Sequence, residues 1–229
     1  MNMKVVKIMT DSLILLSGGL DSLVSLGLTK ESLNVTLALT FDYGQKSVKY
    51  EVSASAKICD YYKINHKVIK LDFLKEITNT SLVANSDLPA GEKPQDFNDS
   101  SSVWVPNRNG LFLNIAGAYA DSYGFENIVI GANAEEAKTF SDNTKEFIDT
   151  VNNEFEYSTT VHPKVVAPLL NYDKIVIVKQ ALVNNIPLEL TMSCYKGGEK
   201  HCGMCESCVR LKHALEVNNA QEYIQKLFG

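Results

Sequence analysis

Short apolar runs alternate with amphipathic stretches along this chain. Residues 12–16 (SLILL) form the first run and end at Ser17-Gly18-Gly19, the pattern of a buried strand feeding a tight turn. A helix is expected to begin near Asp21 or Ser22, since both residue types suit a helix N-terminus. Residues 35–41 (VTLALTF) read as a second strand and residues 66–71 as a third. Between them Val48, Val52, Ala56 and Cys59 recur at helical spacing, which predicts a helix over residues 47–62. Residues 78–102 are rich in Asn, Ser, Asp, Pro and Gly and read as a long loop or lid. Helix returns over residues 109–123, strand over 127–131 (NIVIG), and helix over 147–157 and 173–184, before a cysteine-rich segment and a last helical stretch. There is no internal repeat.

Strands that alternate with helices predict an α/β fold, a Rossmann-like parallel sheet covered on both faces. Ligands of such sheets sit beyond the C-terminal ends of the strands. The unusual residues of this chain fall there: residues 17–22 after the first strand, 42–45 after the second and 131–133 after the fourth. The chain divides into a main unit over residues 1–185 and a small C-terminal metal-binding segment over 186–229 packed on it.

Composition adds a few exclusions. With 229 residues, 45% of them hydrophobic and 21% charged, the chain can bury one sizeable core and is neither disordered nor fibrous. A formal net charge of -5 argues against a broad nucleic-acid surface, which needs clustered Lys and Arg. No apolar run is long enough to span a bilayer. The first ten residues lack the apolar stretch of a signal peptide, so a cytoplasmic location is the default.

The first candidate for chemistry is Ser17-Gly18-Gly19-Leu20-Asp21-Ser22. Two glycines after a strand let the backbone approach a ligand closely. Their amides and the following helix N-terminus form a nest for anionic oxygens, with Ser17 and Ser22 as further donors. Asp21 fits a phosphate site if a magnesium ion lies between it and the phosphates. No Gly-Lys-Ser/Thr follows, so this is not a Walker loop, and the glycines alone would equally suit a plain connecting turn.

The second candidate is a cluster of cysteines. Cys194 precedes Cys202, Cys205 and Cys208, two overlapping C-x-x-C steps. Four thiolates so spaced suit tetrahedral zinc and leave no open position, which makes the site structural. An iron–sulfur cluster or a catalytic thiol pair are the alternatives. Cys59 lies in a helical pattern and reads as a buried apolar residue.

The loop resembles the PP-loop of the ATP pyrophosphatases, enzymes that release pyrophosphate and leave AMP on a substrate oxygen. Further matches follow in order along nearly the whole chain: residues 16–22 (LSGGLDS), 41–45 (FDYGQ), 105–109 (VPNRN), 131–134 (GANA), 167–170 (APLL) and 191–195 (TMSCY). Together they resemble the 7-cyano-7-deazaguanine synthase (QueC) family of queuosine and archaeosine biosynthesis. The resemblance implies a PP-loop/HUP-type sheet, ATP with magnesium, and zinc. The implied reaction adenylates the carboxylate of 7-carboxy-7-deazaguanine, forms the amide with ammonia, then activates the amide oxygen to leave the nitrile. It implies Ser17, Asp21, Ser22 and Arg108 as catalytic residues. ATP would contact Leu16, Ser17, Gly18, Gly19, Leu20, Asp21, Ser22, Phe41, Gln45, Arg108 and Asn109, and the deazaguanine Asn133, Glu135 and Asp142. No nucleic-acid or membrane partner is implied, and a homodimer is.

One segment departs from the family pattern. Residues 135–144 read EEAKTFSDNT; Asp142 stands for the family's aspartate, while Asn143 and Thr144 replace its Cys-Arg. An arginine suits a carboxylate through paired hydrogen bonds, and its absence leaves Lys138 or Lys145 as substitutes, or a changed substrate. The alternative is thus a relative that joins an adenylated deazaguanine to another amine, such as one on a protein, and stops at the amide. A tRNA-modifying sulfur-transfer enzyme or a non-catalytic nucleotide-binding module fits less well. Lys174 begins a helix and could reach a phosphate, yet an exposed lysine is the usual case there; Trp104 reads as packing rather than stacking.

Overall fold

A computed structural model describes residues 11–83, 87–97 and 101–229. Five parallel strands form one sheet in the order β3-β2-β1-β4-β5: β1 Ser12–Leu15, β2 Val35–Asp42, β3 Asn65–Lys70, β4 Asn127–Val129 and β5 Lys164–Val166. β1 lies at the centre with both faces covered, which is why it is a continuous apolar run. Alternate residues point to opposite faces. Ile14 and Leu16 join one core cluster, Leu13 and Leu15 the other.

The helices are α1 Leu20–Thr29, α2 Val48–Tyr62, α3 Asp72–Ile77, α4 Arg108–Tyr123, α5 Lys145–Ser158, α6 Lys174–Val183, α7 Glu206–Val217 and α8 Gln221–Phe228. α1, α2, α6, α7 and α8 cover one face, where Leu23, Ile58, Val178, Leu215 and Leu227 meet. α4 and α5 cover the other through Leu113, Ala116, Val151 and Phe155. This is the expected covered parallel sheet.

Two elements escape the sequence pattern. β5 is three residues long, and α3 makes under two turns, both too short for a period to show. The loop expected over residues 78–102 lies partly outside the described residues; those described carry short 3₁₀ turns at Pro94–Asp96 and Ser101–Val103. Strand order reverses between β1 and β4, and a crevice beyond the strand ends is the usual ligand position at such a switch point.

Candidate active site

The crevice is a cavity of about 250 Å³ at the C-terminal ends of β1, β2 and β4. Its floor is the turn after β1. Gly18 has φ +78°, and a Cβ there would stand 2.8 Å from the Glu51 carbonyl oxygen of α2, so only glycine fits. The Ser17 N–H donates to Ser22 Oγ (3.3 Å), and the two hydroxyls lie 3.2 Å apart. Gly131, after β4, presses on the first turn of α1: a Cβ there would meet the Ser22 nitrogen at 3.0 Å.

The cysteine segment holds the turn from its other side. The Met192 N–H donates to the Gly18 carbonyl at 2.7 Å. Ser193 Oγ accepts from the Leu20 N–H at 3.0 Å, and the Ser193 N–H donates to His201 Nε2 at 3.1 Å. Residues 191–193 therefore tie the phosphate-type turn to the cysteines.

The sulfurs of Cys194, Cys202, Cys205 and Cys208 all lie within 4.8 Å of one another, and the Cys202 and Cys208 sulfurs stand 3.8 Å apart. Tetrahedral coordination at a zinc–sulfur distance of about 2.3 Å needs sulfur pairs roughly 3.8 Å apart. The donor set fits a structural zinc ion.

A buried charge network borders the turn. Lys174, the first residue of α6, bridges Asp21 at 2.5 Å and Glu136 at 2.8 Å. Its N–H donates to Glu135 Oε2 at 3.1 Å. Arg210 of α7 pairs with Glu135 and, at 2.9 Å, with Glu206. Burial opposes the Lys174 charge, but Asp21 and Glu136 outweigh it and raise the ammonium pKa. Burial pushes the Asp21 carboxyl up to about 6 against the pull of Lys174, and Glu136 adds to the rise.

The opposite wall is aromatic. Phe41 stacks on Phe112 with centroids 4.0 Å apart, and Trp104 on Phe140 at 5.6 Å; all four line the cavity. Arg108 Nη1 donates to Tyr43 Oη at 3.4 Å. Burial opposes the guanidinium charge, and Tyr43 and Asp142 more than restore it. Burial raises the Asp142 carboxyl, with Arg108 working against the rise. Thr144, not Asp142, caps α5, accepting from the Phe147 N–H at 3.2 Å; Asp142 is left to face the cavity.

This geometry has known counterparts. The model of the family described as "Queuosine biosynthesis protein QueC" matches residues 11–219. The chain belongs to this family. The 7-cyano-7-deazaguanine synthase of Carboxydothermus hydrogenoformans is 51% identical over 90% of this chain and 98% of its own length. That of Methanosarcina mazei is 47% identical over 88% and 92%. Two solved structures share the fold at low identity. A 4-thiouridine synthetase–RNA complex with bound ATP has TM-score 0.53 and 18% identity, over 94% of this chain and 53% of that one. The U34-tRNA thiolase NcsA of Methanococcus maripaludis with its 4Fe–4S cluster has TM-score 0.51 and 17% identity, over 98% and 69%.

Of the positions that the QueC resemblance marks, Leu16, Ser17, Gly19, Leu20, Asp21, Ser22, Phe41, Gln45, Arg108, Asn109, Glu135 and Asp142 line one cavity. Gly18 and Asn133 do not line it. Gly18 is turned to α2. Asn133 is fully buried, and its Oδ1 accepts from the Glu135 and Glu136 N–H groups at 3.1 and 3.0 Å. Gln45 is locked by the Tyr43 N–H at 3.0 Å, the Phe41 carbonyl at 3.0 Å and Glu51 at 2.8 Å.

Sequence reasoning missed Lys174, Arg210, Ser193 and the stacked Trp104. Lys174 is buried rather than exposed, and no local pattern links it to an aspartate 153 residues away. The two lysines expected to replace the missing family arginine do not line the cavity. Lys145 pairs with Asp149 on the exposed side of α5, and Lys138 faces a second cavity. Arg108 and Arg210 line the first instead.

Proposed function

We propose that this chain converts 7-carboxy-7-deazaguanine and ammonia to 7-cyano-7-deazaguanine at the expense of ATP, in the manner of the synthases it resembles. The observation that carries the reading is that an anion-binding turn, a buried carboxylate at that turn and an aromatic wall ending in Asp142 share one cavity.

The residues divide by chemistry. The amides of the turn and the hydroxyls of Ser17 and Ser22 bind the ATP phosphates. Phe41, Gln45 and Asn109 line the path to the adenosine. Asp21 Oδ1 is buried without a hydrogen-bond partner and suits a hard cation beside the phosphates. A magnesium ion bound there would offset charge building on the leaving pyrophosphate. Lys174 holds the other Asp21 oxygen and fixes the carboxylate. Arg108, confined by Tyr43, is the permanent positive charge that the cavity offers to the ATP phosphates. The aromatic wall takes the flat heterocycle, and Asp142 accepts from its guanine-like edge. Glu135, in the charged wall between Lys174 and Arg210, lines the same cavity. Cys194, Cys202, Cys205 and Cys208 would hold zinc, which would fix the segment that holds the turn. Homodimeric assembly and a cytoplasmic location belong to the proposal; the first rests on the family resemblance.

The test is to incubate purified chain with ATP, magnesium, ammonium and 7-carboxy-7-deazaguanine and to identify products by mass spectrometry. AMP with the nitrile is expected. AMP with an amide to another amine would favour the alternative acceptor, and no acid-dependent AMP would overturn the reading.

A further inference from the structure

Three reactants must meet in the first cavity: ATP at the turn, the flat acid against the aromatic wall, and ammonia. With the two large ones in place, the small one needs a way to the carbonyl carbon between them. A second cavity of about 290 Å³ lies against the first. Glu135, Thr139, Lys174 and Arg210 line both. The outer rim of the second carries the exposed Gln95, Lys138, Asp173 and His213. It is a vestibule running from the surface to the back of the charged wall that borders the phosphate turn.

The wall suits a small cation. Asp21, Glu135, Glu136 and Glu206 face Lys174 and Arg210, so carboxylates outnumber ammonium and guanidinium groups by two in formal charge. Glu135 stands at its centre, held by the Lys174 N–H and Arg210. Its two carboxylate oxygens have lone pairs for a further donor. Ammonia in neutral water is almost wholly ammonium, and only the neutral form attacks carbon. A route that takes up ammonium must attract it, strip its water and remove a proton. Carboxylates attract the cation and hold its charge, and one in direct contact with it can accept the proton as the nitrogen lone pair is drawn to the electrophilic carbon.

Resting on the functional reading above, we propose that the second cavity is the ammonium entrance and that Glu135 takes its proton. Ammonium gives a proton to the Glu135 carboxylate, which returns it to solvent through the vestibule. The lone pair of the resulting ammonia forms the C–N bond to the adenylated carbon. The C–O bond to AMP breaks, AMP leaves with the electron pair, and the nitrogen sheds one proton to give the neutral amide.

Gln95 and His213 line only the second cavity, and both are exposed, so Gln95→Trp and His213→Trp narrow it without touching the first. Each full-length variant is assayed twice: for acid-dependent ATP–pyrophosphate exchange, which needs no ammonia, and for AMP formation with ammonium chloride as the varied substrate. The expected result is a tenfold or greater rise in the KM for ammonium, with exchange within twofold of wild type. In Glu135→Gln the reaction should depend on free ammonia. Its KM in total ammonium should then fall about tenfold per pH unit between roughly pH 7 and 9, more steeply than in wild type. An unchanged ammonium KM in both Trp variants overturns the entrance, as does an equal loss of exchange. The same pH slope in Glu135→Gln and wild type overturns the role of Glu135. Absence of exchange in wild type defeats the functional reading itself, and the entrance with it.

Discussion

Asp21 and Asp142 are carboxylates lining one cavity, and their surroundings predict different losses. Asp21 is fixed through one oxygen by Lys174 while the other is buried without a partner. On the proposed reading Asp21→Ala would remove a ligand of the magnesium ion beside the phosphates and should slow AMP formation on the order of a thousandfold, with circular dichroism unchanged. Near-normal turnover would exclude the PP-loop mechanism. Asp142 is not the α5 cap, so its removal should leave stability alone. Calorimetric titration of Asp142→Ala should show deazaguanine binding weakened by roughly 1.5–3 kcal/mol, the range for hydrogen bonds to a charged group, and ATP binding unchanged. Equal loss for both ligands would end that assignment. Asp21 was legible in the sequence because an acid inside a glycine turn is out of place. Lys174 was not, because burial and a partner 153 residues away leave no local trace.

At the scale of elements, the alternation of apolar strands and amphipathic helices carried the sheet, its parallel sense and the place of the crevice. The three-residue β5, the short α3 and the packing of loops were beyond it. The contact between residues 191–193 and the turn before α1 is of that last kind. The Met192 N–H holds the Gly18 carbonyl, and Ser193 Oγ accepts from the Leu20 N–H, an amide at the start of the helix where anions bind. Ser193→Ala keeps the backbone contact but loses the hydroxyl that orients the Leu20 amide and the turn around it. The expected outcome is a several-fold rise in the KM for ATP, with the zinc content and the KM for the acid unchanged. A fall in metal content instead would show that the hydroxyl serves the cysteine loop rather than the turn.

At the scale of the molecule, the four cysteines close a segment whose two following helices belong to the main core. Leu211, Leu215, Ile224 and Leu227 sit in one apolar cluster with Leu23 of α1 and Val178 of α6, and the segment before the cysteines grips the phosphate turn. Metal binding, folding and activity should therefore be one event rather than three, because a structural ion adds its binding free energy to the folded state. An ion present at a thousandfold over its Kd contributes about 4 kcal/mol, a fall of roughly 8–16 °C in Tm on its loss for a chain of this size. Cys205→Ser removes one of four thiolates and should lose the metal. Elemental analysis should find one zinc per wild-type chain and none in the variant. Calorimetry should give a single transition in both, displaced downward in the variant, and ATP–pyrophosphate exchange should fall with it. Two separate transitions would mean that the C-terminal segment unfolds by itself. A metal-free chain with wild-type Tm and exchange would show that the cysteines neither stabilise the core nor hold the turn, and iron in place of zinc would reassign the cluster.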